Sequence, residues 1–242
     1  MGQRFFLEQP PVEDVAEIIL GGREAQHLIK VMRSQVGDTI ELFDGSGTQW
    51  QAQVQEIRRN DATLRVLSSE VVSLEPEVQL TLGVALPKGD RQKWVIGKLV
   101  ELGVYRVIPL RTENGVAQPV EKAIGRLRRQ VVEASKQCGR NQLMEITEPC
   151  GFPDFLGQSF MQRWIAHPPI AEGAANVESV SVTALSIESG SVGVAIGPEG
   201  GFSVREITEA VAAGWFPLEL GSRILRIETA AMAIAAQLLL GR

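Results

Sequence analysis

Hydrophobic and polar residues follow different patterns on the two sides of residue 74. In the first part, three short segments have the composition and alternation of strands, and turn residues separate them. These segments are residues 39–43, 50–54 and 62–67. The helical spacing of Leu28 and Met32 predicts a short helix over residues 24–32 before the strands. Short strands at this spacing are typical of a small β-barrel or β-sandwich.

After residue 74, apolar runs typical of buried strands alternate with segments of helical periodicity. The predicted strands are residues 78–86, 104–110, 163–166 and 192–196. The predicted helices begin after Asp90 as N-cap, cover about residues 120–138, begin after Ser203, and cover residues 228–240. This alternation predicts an α/β domain with a mainly parallel sheet. We therefore expect two domains, residues 1–73 and 74–242, with a surface loop at residues 171–176 in the second.

Length and composition exclude several classes of protein. The 242-residue chain is 44% hydrophobic, and its longest near-apolar run, residues 230–240, is shorter than the roughly 20 residues that span a bilayer. The N-terminus lacks a signal-peptide core because Glu8 follows a short apolar run, and Phe6 stands where a myristoylation motif needs Ser or Thr. The 2 cysteines and 2 histidines cannot supply a tetrahedral zinc site. We expect a soluble, cytoplasmic protein without a metal.

Acidic and basic residues are unevenly distributed along the chain. The net charge of −5 argues against a protein that binds nucleic acid through bulk charge. Residues 86–111 and residues 121–140 nevertheless carry +4 each, whereas residues 1–73 carry −4 and residues 141–190 carry −5. Two neighbouring basic stretches in one domain favour a polyanion-binding face, although solvated helix faces have the same composition.

Two glycine-rich loops contain the candidate chemistry. The first, residues 196–202, follows a predicted strand, and the S-x-x-E pattern from Ser203 predicts a capping box at the start of a helix. This loop has neither the Gly-Lys-Ser/Thr of a P-loop nor the spacing G-x-G-x-x-G, so it is not a typical phosphate site. The second, residues 220–226, carries Arg223 and Arg226 in an apolar stretch, which suits a pocket with an apolar floor and a cationic rim. The alternative for the first loop is a tight turn between sheet and helix. The alternative for the second is a pair of surface arginines.

Taken together, these motifs resemble the SPOUT superfamily of methyltransferases. GPEGGFS at residues 197–203, followed by LGSRILRIETAA at residues 220–231, resembles its C-terminal signature. The resemblance is closest to the RsmE branch, bacterial enzymes that methylate N3 of a uridine in 16S ribosomal RNA. Further matching segments lie at residues 4–6, 27–33, 98–103 and 133–140. The motifs occur in the family's order over essentially the whole chain.

The resemblance implies a small N-terminal PUA-like β-barrel that binds RNA and a C-terminal SPOUT α/β domain with a deep trefoil knot. It further implies an S-adenosylmethionine site inside the knot and a homodimer formed through the C-terminal domain. The implied cofactor-binding residues are His167, Ile196, Gly197, Pro198, Glu199, Gly200, Gly201, Leu220, Gly221, Ile224, Leu225 and Arg226. His167 follows Ala166 and precedes Pro168 at the end of a predicted strand. We expect these three residues to form a third wall of the cofactor site.

Three positions depart from the family pattern. Ile227 stands where Thr is usual, Asn114 where Arg is common, and Met144 where Pro often follows Gly-Arg. None of them removes a glycine of the two loops, so the implied cofactor site is retained. The departures bear on contacts with the substrate.

The chemistry of the implied reaction suggests two catalytic residues. Uracil N3 carries a proton in the neutral base, so the site needs a proton acceptor or a cation that stabilises the developing imide anion. We hypothesise that Arg226 stabilises the anion and that Glu228 either accepts the proton or orients that arginine. Acidic residues also favour the first turn of a helix, which is the structural alternative for Glu228.

The implied macromolecular partner is 16S ribosomal RNA or the assembled small ribosomal subunit. The candidate RNA-binding residues are Arg4, Arg33, Lys88, Arg91, Lys93, Arg126, Arg129 and Arg140. A non-catalytic RNA-binding module with an inactive cofactor fold is an alternative, which the intact glycines disfavour. A ribose 2′-O-methyltransferase of the same superfamily is another, and residues 98–104 do not resemble its early Asn…Arg signature.

Overall fold

A computed structural model describes residues 3–9, 11, 16–115, 121–167 and 179–240. The expected loop at residues 171–176 lies outside these ranges. The chain divides into two compact units. Unit 1 comprises Met1–Leu74 and Ser135–Leu143, and unit 2 comprises Glu75–Ala134 and Met144–Arg242.

Unit 1 is built on a five-stranded sheet. Its strands are β1 (Arg4–Phe6), β2 (Glu17–Leu20), β3 (Thr39–Phe43), β4 (Thr48–Ile57) and β5 (Ala62–Val71), in the order β1-β3-β4-β5-β2. Strands β1 and β3 pair in parallel, and the other pairs are antiparallel. The three predicted strands are confirmed as β3, β4 and β5. The predicted helix is α1 (Gly22–Gln26), which continues as a π-helical turn over His27–Met32.

The segment Ser135–Leu143 is tied to unit 1 by a polar network around Arg4. The Arg4 guanidinium donates to the Ser135 carbonyl at 2.8 Å and lies 2.6 Å from the Glu41 carboxylate. It also stacks over Phe43, with Cζ 4.2 Å from the ring centroid. Burial lowers the pKa of Arg4, and the Glu41 carboxylate opposes this change. The contacts of one largely buried guanidinium therefore join strand β1 to the segment Ser135–Leu143.

Unit 2 contains an eight-stranded sheet in which every described pair is parallel. Its strands are β6 (Val78–Val84), β7 (Arg106–Arg111), β8 (Glu145–Ile146), β9 (Cys150–Gly151), β10 (Gln162–Ala166), β11 (Val180–Ser181), β12 (Gly190–Ile196) and β13 (Phe216–Glu219). The order is β11-β13-β10-β12-β6-β7-β8, and β9 also pairs with β7. The predicted α/β fold with a parallel sheet is confirmed.

Helices connect these strands. They are α2 (Asp90–Glu101), α3 (Glu121–Cys138), α4 (Phe152–Leu156), α5 (Val204–Ala212) and α6 (Ile227–Leu239). Asp90 is the first residue of α2 and not its N-cap, because Gly89 precedes the helix with φ 69°. The predicted capping box is confirmed, since Ser203 and Glu206 exchange both hydrogen bonds. Within the described ranges, no helix has the length and apolar character of a membrane span.

Candidate active site

A cavity of about 240 Å³ opens beyond the carboxyl ends of three neighbouring strands of unit 2, β10, β12 and β13. Loops at this edge of a parallel sheet are the usual place for a ligand in α/β folds. The cavity is lined by Ala166, His167, Ile196, Gly197, Pro198, Glu199, Gly201, Phe202, Leu220, Gly221, Arg223, Ile224, Leu225, Arg226, Ile227 and Ala230. Two loops far apart in sequence thus form one site.

This lining includes every implied cofactor residue except Gly200. A Cβ atom at Gly200 would lie 3.4 Å from Cβ of Asn114, so this glycine is packed against another segment. Ala166 and His167 lie in the wall expected of them, whereas Pro168 is outside the described residues. Sequence reasoning missed Phe202, Ile227 and Ala230 as lining residues, although all three lie within the two motifs.

The first loop is a tight turn held by its own backbone. The Gly201 amide donates to the Pro198 carbonyl at 2.8 Å, and Gly201 has φ 70°, a conformation that favours glycine. A Cβ atom at Gly197 would lie 3.0 Å from the buried Phe202 ring, so a side chain there would press against that ring. The glycines therefore let the backbone itself form the cavity wall.

The second loop presents both arginines at the cavity. Gly221 turns the chain with φ 95°, and Ile224 stands 85% exposed between Arg223 and Arg226. Arg226 is exposed, precedes α6 as its N-cap, and forms no ion pair with a carboxylate in the described part of the chain. Its guanidinium is therefore available to a ligand.

Glu228 lies in the first turn of α6 with only 10% of its side chain exposed. Its Oε1 lies 3.6 Å from Nη1 of Arg91, and its Oε2 is buried and accepts no hydrogen bond from a described residue. Nη2 of the same arginine lies 3.3 Å from Oε1 of Glu199 in the first loop. The described ion pair of Glu228 is thus with Arg91, and not with Arg226 as one form of the catalytic hypothesis required.

The segment after β7 is anchored to the first loop. The Asn114 side-chain amide donates to the Gly201 carbonyl at 3.1 Å. The Glu113 amide donates to the Glu206 carboxylate at 3.0 Å, and the Glu113 carboxylate pairs with Arg205. That pairing lowers the pKa of Glu113. Asn114, one of the departures from the family pattern, therefore holds the first loop by a hydrogen bond to its backbone.

The candidate RNA-binding residues fall into two groups. Arg33 in unit 1 and the unit 2 residues Lys88, Arg91, Lys93, Arg126 and Arg129 are exposed. Arg4 and Arg140 are buried in unit 1, with 7% of the Arg4 side chain and 4% of Arg140 exposed. A buried guanidinium that already has partners cannot reach a phosphate, so we remove Arg4 and Arg140 from the candidate RNA contacts.

The cavity has the chemistry that S-adenosylmethionine requires. Ile196, Leu225 and Ile227 offer an apolar surface for an adenine ring, and the glycine-bearing loops offer backbone polar groups. The Glu199 carboxylate at the rim suits a sulfonium or ammonium cation. Within the described ranges, no group of three or more His, Cys, Asp or Glu side chains is placed to hold a metal ion.

Comparison with known proteins identifies two family models. Residues 74–239 match an RNA methyltransferase domain, and residues 20–67 match an RNA methyltransferase PUA domain. The ribosomal RNA small subunit methyltransferase E of Synechocystis sp. is 32% identical over 92% of this chain and 73% of that protein. The protein of the same name from Bacillus subtilis is 27% identical over 94% of this chain and 92% of its own.

A solved structure agrees with these matches. The ribosomal RNA small subunit methyltransferase E of Neisseria gonorrhoeae, bound to S-adenosyl methionine, superposes with a TM-score of 0.86. The two chains are 27% identical, and the match covers 98% of this chain and 96% of that one. The chain therefore belongs to the ribosomal RNA small subunit methyltransferase E family of RNA methyltransferases.

Proposed function

We propose that this protein transfers a methyl group from S-adenosylmethionine to N3 of a specific uridine in 16S ribosomal RNA of the small ribosomal subunit. The observation that carries the proposal is the single cavity formed by the loops after β12 and β13. That cavity combines an apolar wall, glycine backbone and two arginines in a chain of this family. The relatives' names and the cofactor in the Neisseria gonorrhoeae structure support the same reaction.

The cofactor is held by the residues of the two loops. Apolar side chains such as Ile196 and Leu225 pack against the adenine, while backbone groups of residues 197–201 and 220–225 bind the polar parts. His167 closes the site from the end of β10. Bound S-adenosylmethionine supplies an electrophilic methyl group, so the protein's main task is to position the base in line with it. Positioning of this kind is worth about 7–11 kcal/mol.

The protein also manages the proton and the charge of the uracil imide. The Glu228 carboxylate accepts the N3 proton, and its position in α6 beside the lining residues Ile227 and Ala230 supports this role. As the proton leaves, negative charge develops on N3 and on the O2 and O4 carbonyl groups. The exposed guanidinium of Arg226 stabilises that charge from the cavity rim.

RNA binding is divided between the two domains predicted from the sequence. Residues 1–73 form the PUA-like barrel and contribute Arg33, while residues 74–242 contribute the exposed candidates Lys88, Lys93, Arg126 and Arg129. The C-terminal domain contains the deep trefoil knot and forms the homodimer. We place the protein with its ribosomal RNA substrate in the cytoplasm, and equilibrium sedimentation of the full chain tests the dimer.

Methylation of defined RNA substrates tests the proposal. The purified protein is incubated with S-adenosylmethionine and 16S ribosomal RNA or small subunits from cells lacking the activity, and digested nucleosides are identified by mass spectrometry. The expected product is 3-methyluridine at a single position. A 2′-O-methylated ribose overturns the base-methylation proposal. Calorimetry that detects no binding of S-adenosylmethionine favours the non-catalytic RNA-binding alternative.

A further inference from the structure

We infer that Arg91 is a positioning residue that fixes the carboxylate of Glu228 relative to the cofactor loop, and is not a phosphate contact. The inference rests on the proposed function for its catalytic meaning, but its geometric content is independent of activity. Arg91 lies in the first turn of α2, exposed beside the exposed cations Lys88 and Lys93. Its charge and exposure therefore group Arg91 with the candidate RNA-binding residues. Its contacts, which are with carboxylates, indicate a different role.

The guanidinium of Arg91 faces carboxylates from two separate elements. Nη2 lies 3.3 Å from Oε1 of Glu199 in the loop after β12, and Nη1 lies 3.6 Å from Oε1 of Glu228 in α6. We call this arrangement the Arg91 bridge. A planar guanidinium presents its donors in a fixed fork, so one arginine can hold two carboxylates at a defined separation. The bridge links three elements, namely α2, the cofactor loop and the start of α6.

The two carboxylates differ in how much they need this partner. Glu199 is about half exposed and is solvated without help, whereas the Glu228 side chain is 10% exposed. A buried carboxylate without a cation is costly, and it reduces that cost by moving toward water. Such a movement would remove the acceptor oxygen from its place. The bridge therefore holds the Glu228 carboxylate in a fixed orientation.

The division of the Glu228 oxygens agrees with this role. Oε1 faces Arg91, while Oε2 is buried without a described hydrogen-bond donor. The second oxygen is thus without a partner among the described residues, and Arg91 holds the carboxylate through the first oxygen alone. Arg91 thus acts on the reaction through Glu228.

Steady-state kinetics of charge variants separates the bridge from a phosphate contact. Arg91→Met keeps most of the side-chain volume, and we expect it to lower kcat about tenfold or more at saturating RNA and cofactor. The KM for RNA and the salt dependence of RNA binding stay close to wild type. Arg91→Lys restores part of the lost kcat because it restores the charge. An unchanged kcat with a raised KM and a salt slope reduced by about one overturns the inference.

An unfolding cycle tests the geometry without any activity. Arg91→Met, Glu228→Gln and the double variant are unfolded with urea in the absence of cofactor. Their effects on the unfolding equilibrium constant should be non-additive by about threefold or more, and additive effects overturn the bridge. Arg106→Met is the matched control, since Arg106 pairs with Glu145 at 2.6 Å and not with Glu228; with Glu228→Gln it should be additive. If the wild-type protein forms no 3-methyluridine, the proposed function fails, and this cycle still decides whether the bridge exists.

Discussion

The side-chain ammonium of Lys136 lies 3.0 Å from Oε1 of Glu24, although 112 positions separate the two residues. Both belong to unit 1; the Lys136 side chain is buried, with 5% exposed, and the Glu24 side chain is largely buried, with 14% exposed. Oε2 of the same carboxylate accepts the amide of Phe6 at 3.1 Å, and Nδ1 of His27 lies 3.4 Å from the ammonium. The end of α3 is therefore an integral part of the unit that begins the chain.

Loss of one partner from this pair should destabilise unit 1 strongly. Lys136→Met leaves the Glu24 carboxylate buried without its cation, and breaking a buried pair in this way costs about 3–5 kcal/mol. Urea unfolding followed by circular dichroism measures the loss in the transition of unit 1. A loss below about 1 kcal/mol, the range of surface pairs, would contradict the structure.

Two further variants control this experiment. Arg58→Ala removes an exposed ion pair with Glu56 in the same unit and should leave the midpoint essentially unchanged. Adding Glu24→Gln to Lys136→Met removes the orphaned charge and should recover part of the stability. This recovery separates an electrostatic effect from a packing defect at position 136.

The sequence predicts local features of this fold well because their signals are local. The long strands, the three apolar residues that end β10 and the capping box at Ser203 each depend on neighbouring residues. Strand β13 was missed because it is short and contains Pro217, which is unusual inside a sheet. The two-residue strands β8, β9 and β11 are too short to produce a periodic signal.

The same limit applies to the candidate site. Both loops could be proposed from the sequence because glycine, arginine and the start of a helix stand together within a few residues. The Arg91 bridge could not, since its partner Glu199 is 108 residues away and only the fold brings them together. In the sequence, Arg4 is a candidate RNA contact and Lys136 is part of the basic stretch 121–140, whereas the structure buries both as structural cations. The contacts made in the folded protein therefore decide which basic side chains remain exposed and able to bind RNA.

Gly83 in β6 should not tolerate a side chain. A Cβ atom there would lie 2.6 Å from the ring of the fully buried Phe155, and overpacking a core costs about 1–3 kcal/mol. We expect Gly83→Ala to lower the stability of unit 2 by at least that range, measured by urea unfolding. Gly125→Ala is the control, because nothing lies within 4 Å of its Cβ position in helix α3. It should stabilise by about 0.5–1 kcal/mol; equal effects of the two variants would contradict the packing.

Arg226→Ala should impair the chemical step more than cofactor binding. Removal of one group that stabilises a developing anion costs about 10²–10³ in kcat. Single-turnover methylation measures this loss, and calorimetry measures the affinity for S-adenosylmethionine, which should change much less. Arg223→Ala is the matched variant, because Arg223 is also exposed at the cavity rim. A kcat for Arg226→Ala within threefold of wild type would mean that Arg226 lies at the cavity rim without stabilising the anion.

The two cysteines should differ in reactivity. Cys138 is exposed, whereas burial and the nearby Asp154 carboxylate raise the pKa of the Cys150 thiol. A raised pKa means less thiolate at neutral pH, so alkylation by iodoacetamide at pH 7.5 should modify Cys138 first. Modification of Cys150 should accelerate as the pH rises above this value. Peptide mass spectrometry gives the order, and faster labelling of Cys150 at neutral pH would contradict its burial.

Exposed cations of α3 should contribute to the salt dependence of RNA binding. Arg128 and Arg129 are adjacent in α3 and both exposed, but Arg128 donates to the Glu148 carboxylate at 2.8 Å and to the Ile146 carbonyl at 3.0 Å. A guanidinium already neutralised by a carboxylate releases no counterion from RNA, whereas a free one does. Arg129→Ala should therefore reduce the slope of log Kd against log salt by about one. Arg128→Ala should leave the slope unchanged, and fluorescence anisotropy with a labelled 16S RNA fragment measures both. Equal reductions of the slope in both variants would mean that the Arg128–Glu148 pair opens when RNA binds. An unchanged slope in both variants would mean that RNA does not contact this part of α3.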